Sequence, residues 1–155
     1  MMDMQQSPHF PDAFYRVSVK GIYVKDGKIL MTYDDSSSGD KDDPWELPGG
    51  GLDFGEDMAG GLKREIEEEM GLTVTHVSEK PLYVWPVKHG VGRGMDWYWV
   101  LVVAFKIEFK DLNFTPTREC QEVKFFSIEE IQEMLPQVSV QIRPLAEHFN
   151  PADFI

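Results

Sequence analysis

Three glutamates in the segment REIEEEMG, Arg64 through Gly71, are spaced to act together on a metal ion. On an α-helix, at about 100° per residue, Glu69 falls roughly 40° to one side of Glu65 and Glu68 roughly 60° to the other. Their carboxylates share one arc, and Glu67 points elsewhere, toward solvent. The cluster breaks local rules. Carboxylates are disfavoured where the helix macrodipole is negative, and like charges at i,i+3 and i,i+4 repel. A hard divalent cation that prefers oxygen ligands, Mg²⁺ or Mn²⁺, removes both conflicts. Taken alone, an acidic run of this kind also reads as a solvated helix face; with an ion bound, the chemistry to expect is metal-assisted, on a small anionic substrate whose charge the ion offsets.

The elements that must hold these residues can be read from the flanking pattern. A helix is predicted from about Asp57 to Met70, with Met58, Leu62, Ile66 and Met70 as its buried stripe and Gly71 as its stop. Gly61, one turn before Glu65, is expected to leave open space above the site, although Gly60 and Gly61 each cost about 1 kcal/mol in helix propensity. WELPGGGLDFGE, glycine-rich and turn-forming, leads into that helix. Upstream, Val17, Val19 and GIYV read as a strand, Asp26-Gly27 as a hairpin turn and KILMTY as the return strand. Residues 34–43, DDSSSGDKDD, form a polar loop; an EF-hand reading fails because the twelfth position is Trp45 and no helices flank it. Downstream, TVTHVSE, PLYVWPV, MDWYWVLVVAFKIEF and VKFFS read as strands, the middle two joined by KHGVGRG as a long hairpin or lid. Ser127 and Glu130 form a capping box for a short helix ended by Pro136, and a last helical segment covers about Arg143 to Phe149. The mixture implies an α+β domain, a mixed sheet with helices packed on it.

Composition narrows the partners. A chain of 155 residues is most simply one domain, here expected over residues 13–155, behind a loosely held arm of residues 1–12. Fifteen basic against 27 acidic residues give a net charge of −12, which disfavours a nucleic-acid polymer as partner. The single cysteine, Cys120, excludes an internal disulfide and fits a reducing, cytoplasmic setting. The N-terminus lacks a signal-peptide pattern, and WYWVLVVAF from Trp97 is too short to span a bilayer, so no membrane partner is expected. The four histidines show no metal-binding spacing.

From Gly50 to Leu72 the chain reads G, five residues, E, seven residues, R-E-I, one residue, E-E, one residue, G-L. This pattern resembles the Nudix hydrolase signature at every defining position, and Trp45, Leu47, Pro48 and Gly49 extend it in the usual W-x-L-P-G-G manner. The resemblance implies an α/β (α+β) fold of the Nudix type, an alpha-beta-alpha sandwich with the signature as loop-helix-loop. It implies Mg²⁺-dependent (or Mn²⁺-dependent) hydrolysis of a nucleoside diphosphate linked to another group. By position, Glu68 and Glu69 become metal ligands, Glu65 a ligand or the base that activates water, and Gly49 a carbonyl ligand. Glu56 and Arg64 are expected to pair and hold the loop on the helix, with Arg64 supporting the catalytic glutamates. Glu119, with Glu122 as its rival, stands where the family often supplies a last acidic residue. Gly60 and Gly61 depart from the acidic and alanine residues common in the family.

Three further residues are candidates for the substrate: Arg16 and Arg93 for phosphate, and Trp45 for stacking on a base. The substrate is expected to be a small nucleotide derivative, such as ADP-ribose, another nucleotide sugar or a modified nucleoside triphosphate. A nucleotide-sensing module without turnover is the alternative, and the intact signature glutamates disfavour it. A homodimer is a further possibility by family resemblance.

Overall fold

In the computed structural model, residues 15–35, 43–89 and 98–155 are described. The arm of residues 1–12, most of the polar loop and the KHGVGRG tip with Arg93 lie outside them. The chain runs through β1 (Tyr15–Ile22), β2 (Val24–Lys25), β3 (Lys28–Tyr33), β4 (Trp45–Glu46), β5 (Gly49–Gly51), α1 (Met58–Met70), β6 (Val74–Val77), β7 (Tyr83–His89), β8 (Tyr98–Phe109) and β9 (Glu122–Phe126). Two short helices, α2 (Ile128–Glu133) and α3 (Leu145–His148), follow, each succeeded by a 3₁₀ turn.

Two sheets result. β8 is the spine of a five-stranded mixed sheet, with β1 parallel along one edge and β7 and β6 antiparallel on the other. β5 closes the β1 side antiparallel, placing Gly49 opposite Lys20 and Gly51 opposite Ser18. The second sheet is antiparallel, with β3 between β2, β4 and β9. The β2–β3 turn uses Asp26 and Gly27 at φ of 52° and 76°, the paired left-handed residues of a tight hairpin. β7 and β8 form the expected hairpin, with Val87 opposite Val100.

Strand alternation splits the core in two. Val19, Val103, Phe105 and Ile107 meet Leu62, Ile66 and Met70 of α1. The other cluster joins Ile22, Val100, Val102 and Trp85 to Ile29, Met31 and Phe126 of the second sheet, and to Ile131 of α2 and Leu145 of α3. This is the expected sandwich, an α+β fold with helices on both sides of curled, mixed strands. Among the described residues, no helix is long and apolar enough to cross a membrane.

Local signals fix the helix ends. Asp57 caps α1 by accepting from Gly60 N at 3.0 Å, and Gly71 ends it at φ 67° with its N–H on the Glu67 carbonyl. Ser127 and Glu130 complete the capping box of α2. One stripe residue differs from expectation: Met58 is 38% exposed, and Gly61 takes the buried position in that first turn. A Cβ on Gly61 would stand 2.6 Å from Leu52 Cδ1 and 2.7 Å from Glu56 Oε1. Gly61 therefore does not open space above the site; it lets the preceding loop lie directly on the helix.

Candidate active site

Arg64 organises the outer half of the site. Its Nε donates to Glu56 Oε2 at 2.7 Å and its Nη2 to Glu56 Oε1 at 2.9 Å, a two-pronged pair that ties the loop to α1 as expected. The same guanidinium reaches Glu65 Oε1 at 3.0 Å and Glu68 Oε2 at 3.1 Å, and the Gly51 carbonyl at 3.4 Å. Glu56 also accepts from Asp53 N. The Arg64 guanidinium and then that amide hold the Glu56 carboxyl down at about 2, and Glu56 in turn raises Arg64 above its ordinary value.

The inner half is built on Gly50. A Cβ there would lie 2.6 Å from Glu65 Oε2 and 3.2 Å from Glu69 Oε1, so the two carboxylates close over bare backbone. Glu68 does not join them. It is 57% exposed on the outer flank, held by Arg64 one turn earlier. Among the described residues, no three acidic, histidine or cysteine side chains stand together as a ligating group. The donor set nevertheless fits a hard divalent cation: Gly49 and the carboxylates Glu65 and Glu69 line one cleft, with Glu68 on the same helix outside that lining.

Lys20 completes the inner half, and nothing in the motif pointed to it. This lysine is 4% exposed. Its ammonium lies 3.3 Å from the Gly49 carbonyl, 3.5 Å from the Leu47 carbonyl and 3.5 Å from Glu46 Oε1. The available signal was a charged residue inside the strand sequence VSVKGIY, since a buried lysine needs partners. Burial pushes Glu69 up to about 8; Lys20 opposes that rise, and Glu65 adds to it. Since Glu69 sits above its unfolded value of 4.5, the folded state binds the extra proton between those values. Metal-free protein should therefore lose stability as pH rises from 4.5 to about 8. Saturating Mg²⁺, which needs the ionised carboxylate, should offset that loss. Thermal melts across this pH range, with and without Mg²⁺, check both statements.

The cleft measures about 670 Å³ and lies between the two sheets. Gly49, Gly50, Gly51, Glu65, Glu69 and Lys20 line one side. Arg16 also lines the cleft, its guanidinium 5.8 Å from the Tyr98 ring centre and beside Gly51. Arg118 and Glu119 come from the loop before β9, while Thr32, Glu46 and Gln141 contribute further polar lining. Glu122, the rival of Glu119, is an exposed residue of β9 outside this lining. Trp45 is placed differently from its expected stacking role. It is 9% exposed, with its ring edge-on to Tyr33 and Phe126 at 5.0 and 4.8 Å, because the strand turns it into the core. Arg118 was not anticipated, as a lone loop arginine carries no spacing signal.

Known proteins resemble this chain in sequence and in fold. The NUDIX domain family model matches residues 14–149. An RNA pyrophosphohydrolase of Ruthia magnifica subsp. Calyptogena magnifica is 53% identical over 38 residues, covering 24% of this chain and 21% of that protein. The match thus spans only about a fifth of that relative's length. The MutT protein of Methanosarcina mazei Go1 aligns with a TM-score of 0.71 at 22% identity, covering 93% of this chain and 99% of that one. An ADP-ribose pyrophosphatase of Streptococcus suis 89-1591 aligns with a TM-score of 0.60 at 20% identity, covering 87% of each chain. At these identities the two structural likenesses speak for the fold. With the family model spanning most of the sequence and the signature glutamates on the cleft helix, this chain belongs to the NUDIX domain family.

Proposed function

We propose that this protein hydrolyses the diphosphate linkage of a small nucleotide derivative, acting as a single domain over residues 13–155 in the cytoplasm. The observation that carries the reading is the closure of Glu65 and Glu69 over Gly50 beside the Gly49 carbonyl, in a cleft that also holds Arg16, Arg118 and Glu119. Nudix hydrolases generally use divalent metal ions; here Mg²⁺, or Mn²⁺ in its place, would be held by Gly49, Glu65 and Glu69, with Glu68 joining from the outer flank. That ion supplies charge neutralisation at the phosphates and a lowered pKa for bound water.

The chain's own residues do the rest. Arg16 and Arg118 hold phosphate oxygens in the cleft, and Arg64 keeps Glu65 aimed inward. Glu119 takes a proton from the attacking water as its oxygen bonds to phosphorus, and the bridging P–O bond breaks to leave two phosphate esters. A positioned base of this kind contributes about 10²–10⁴ in rate.

The substrate we favour is a sugar-linked diphosphate such as ADP-ribose, ahead of a modified nucleoside triphosphate. The name of the Ruthia relative raises a 5′-triphosphorylated RNA end as a second reading. The net charge of −12 counts against it, since an RNA chain would meet repulsion beyond the cleft. The test is a panel of ADP-ribose, nucleotide sugars, nucleoside triphosphates and 5′-triphosphate RNA with Mg²⁺ or Mn²⁺, products resolved by chromatography. Turnover of ADP-ribose or a nucleotide sugar at kcat/KM above that for RNA supports the proposal. Preference for RNA would overturn the substrate assignment, and tight binding of every member without hydrolysis would establish a sensing module instead.

A further inference from the structure

The loop that brings Arg118 and Glu119 into the cleft is fastened to the glutamate helix by one hydroxyl. Thr117 Oγ1 donates to the Glu69 carbonyl at 2.6 Å, an acceptor in the last turn of α1 that has no partner within the helix. The same oxygen accepts from Glu119 N at 3.3 Å and Cys120 N at 3.1 Å. Its one donor and two acceptor sites are thus all used. The Thr117 amide closes the turn on the Cys120 carbonyl at 2.8 Å. Gln121 fastens the other end of the loop, with its amide on the Tyr33 carbonyl and its side chain on the Arg118 carbonyl and the Asp35 amide.

We propose that Thr117 is a positioning residue that registers Glu119 against the backbone of Glu69. The proposal rests on the reading of Glu119 as the carboxylate that takes the proton from water. Glu69 and Glu119 line the same cleft, and the bond that joins their elements spans 48 residues, from Glu69 to Thr117. An exposed loop carboxylate has no rigid element of its own to fix it. The hydroxyl supplies that reference: any shift of α1 at Glu69 carries the Glu119 amide with it. Serine presents the same oxygen, whereas valine keeps the shape and removes the donor and both acceptor sites.

Cys120 gives a readout independent of turnover. It is the only cysteine of the chain, fully buried behind this turn, so its reaction with a thiol reagent reports opening of the loop. Thr117→Val should lower kcat roughly 10- to 100-fold, the scale expected for a reacting group displaced by about 1 Å. KM should stay within about threefold, because Arg16 and the metal ligands are unchanged and Gln121 still holds the Arg118 carbonyl. Thiol labelling of the folded protein should quicken about tenfold, and Thr117→Ser should restore both kcat and labelling. In a Glu119→Gln background, Thr117→Val should cost less than about twofold further, since the group it positions is gone.

If Glu119→Gln impairs turnover and Thr117→Val does not, the positioning role is overturned while the assignment of Glu119 stands. An equal loss from Thr117→Val in both backgrounds also overturns it, leaving Thr117 as a fold contact. If Glu119→Gln leaves kcat intact, the assignment of Glu119 falls and the proposal falls with it.

Discussion

Glu69→Gln is expected to lower kcat by about 10²–10⁴-fold while raising the thermal stability of the metal-free protein. The two effects share one cause. Glu69 is held in a buried site where its ionised form is disfavoured, with its pKa pushed up to about 8, and Glu65 adds repulsion. An amide of the same shape removes the charge that burial penalises, so the fold gains. It also removes an anionic oxygen that a divalent cation requires, so metal binding and turnover fail together. The check is kcat alongside melting temperature with and without Mg²⁺. The variant should melt higher than the parent without the ion and gain less when the ion is added. Unchanged kcat would remove Glu69 from the site. Glu68→Gln should also cut turnover, but without the gain in stability, since Glu68 is exposed and lies 3.1 Å from the Arg64 guanidinium.

Gly50→Ala should cost on the order of 100-fold in kcat/KM by misplacing two carboxylates at once. The added methyl would lie 2.6 Å from Glu65 Oε2, 2.9 Å from Glu65 Cδ and 3.2 Å from Glu69 Oε1. Those atoms are the far ends of flexible side chains, so the fold tolerates the methyl while the glutamates swing away. Mn²⁺ binding, read by electron paramagnetic resonance, should weaken in parallel. Gly51→Ala is the matched control. Among the described residues its methyl would meet only Arg16 Nη2, at 3.4 Å, and metal binding should be retained. Equal metal binding by the Gly50 variant and the parent would separate Glu65 and Glu69 from the ion.

What was legible in the sequence was local. Asp57, Gly71, Asp26-Gly27 and the Ser127–Glu130 box each act within about four residues, and each appears where its pattern placed it. The Glu56–Arg64 pair was legible because the signature fixes its spacing. What escaped depends on contacts between distant segments. Lys20 looked like one polar position in a strand until β5 brought the Gly49 carbonyl to it. The helical wheel placed Glu68 correctly in angle, but angle does not say that Arg64, one turn earlier, holds its side chain on the outer flank. Trp45 could serve a ligand or a core by composition alone, and only the pairing of β4 with β3 turns it against Tyr33 and Phe126. Arg118 and Thr117 carry no periodic signal, since loops place residues by tertiary contact.

The crowded glutamates of α1 first suggested that an external ion must hold them together, yet the chain supplies two cations of its own, Arg64 bonded to Glu65 and Glu68 and Lys20 offsetting the charge of Glu69. That changes the order of assembly. In small domains whose metal supplies the folding free energy, a newly made chain must wait for its ion. Here Lys20 and Arg64 lie in place without the ion, and a divalent cation would enter a folded site that Glu68 has yet to join. Under the proposed function, a fall in the free ion supply would silence turnover and leave a folded, less stable chain, and a return of the ion would restore both.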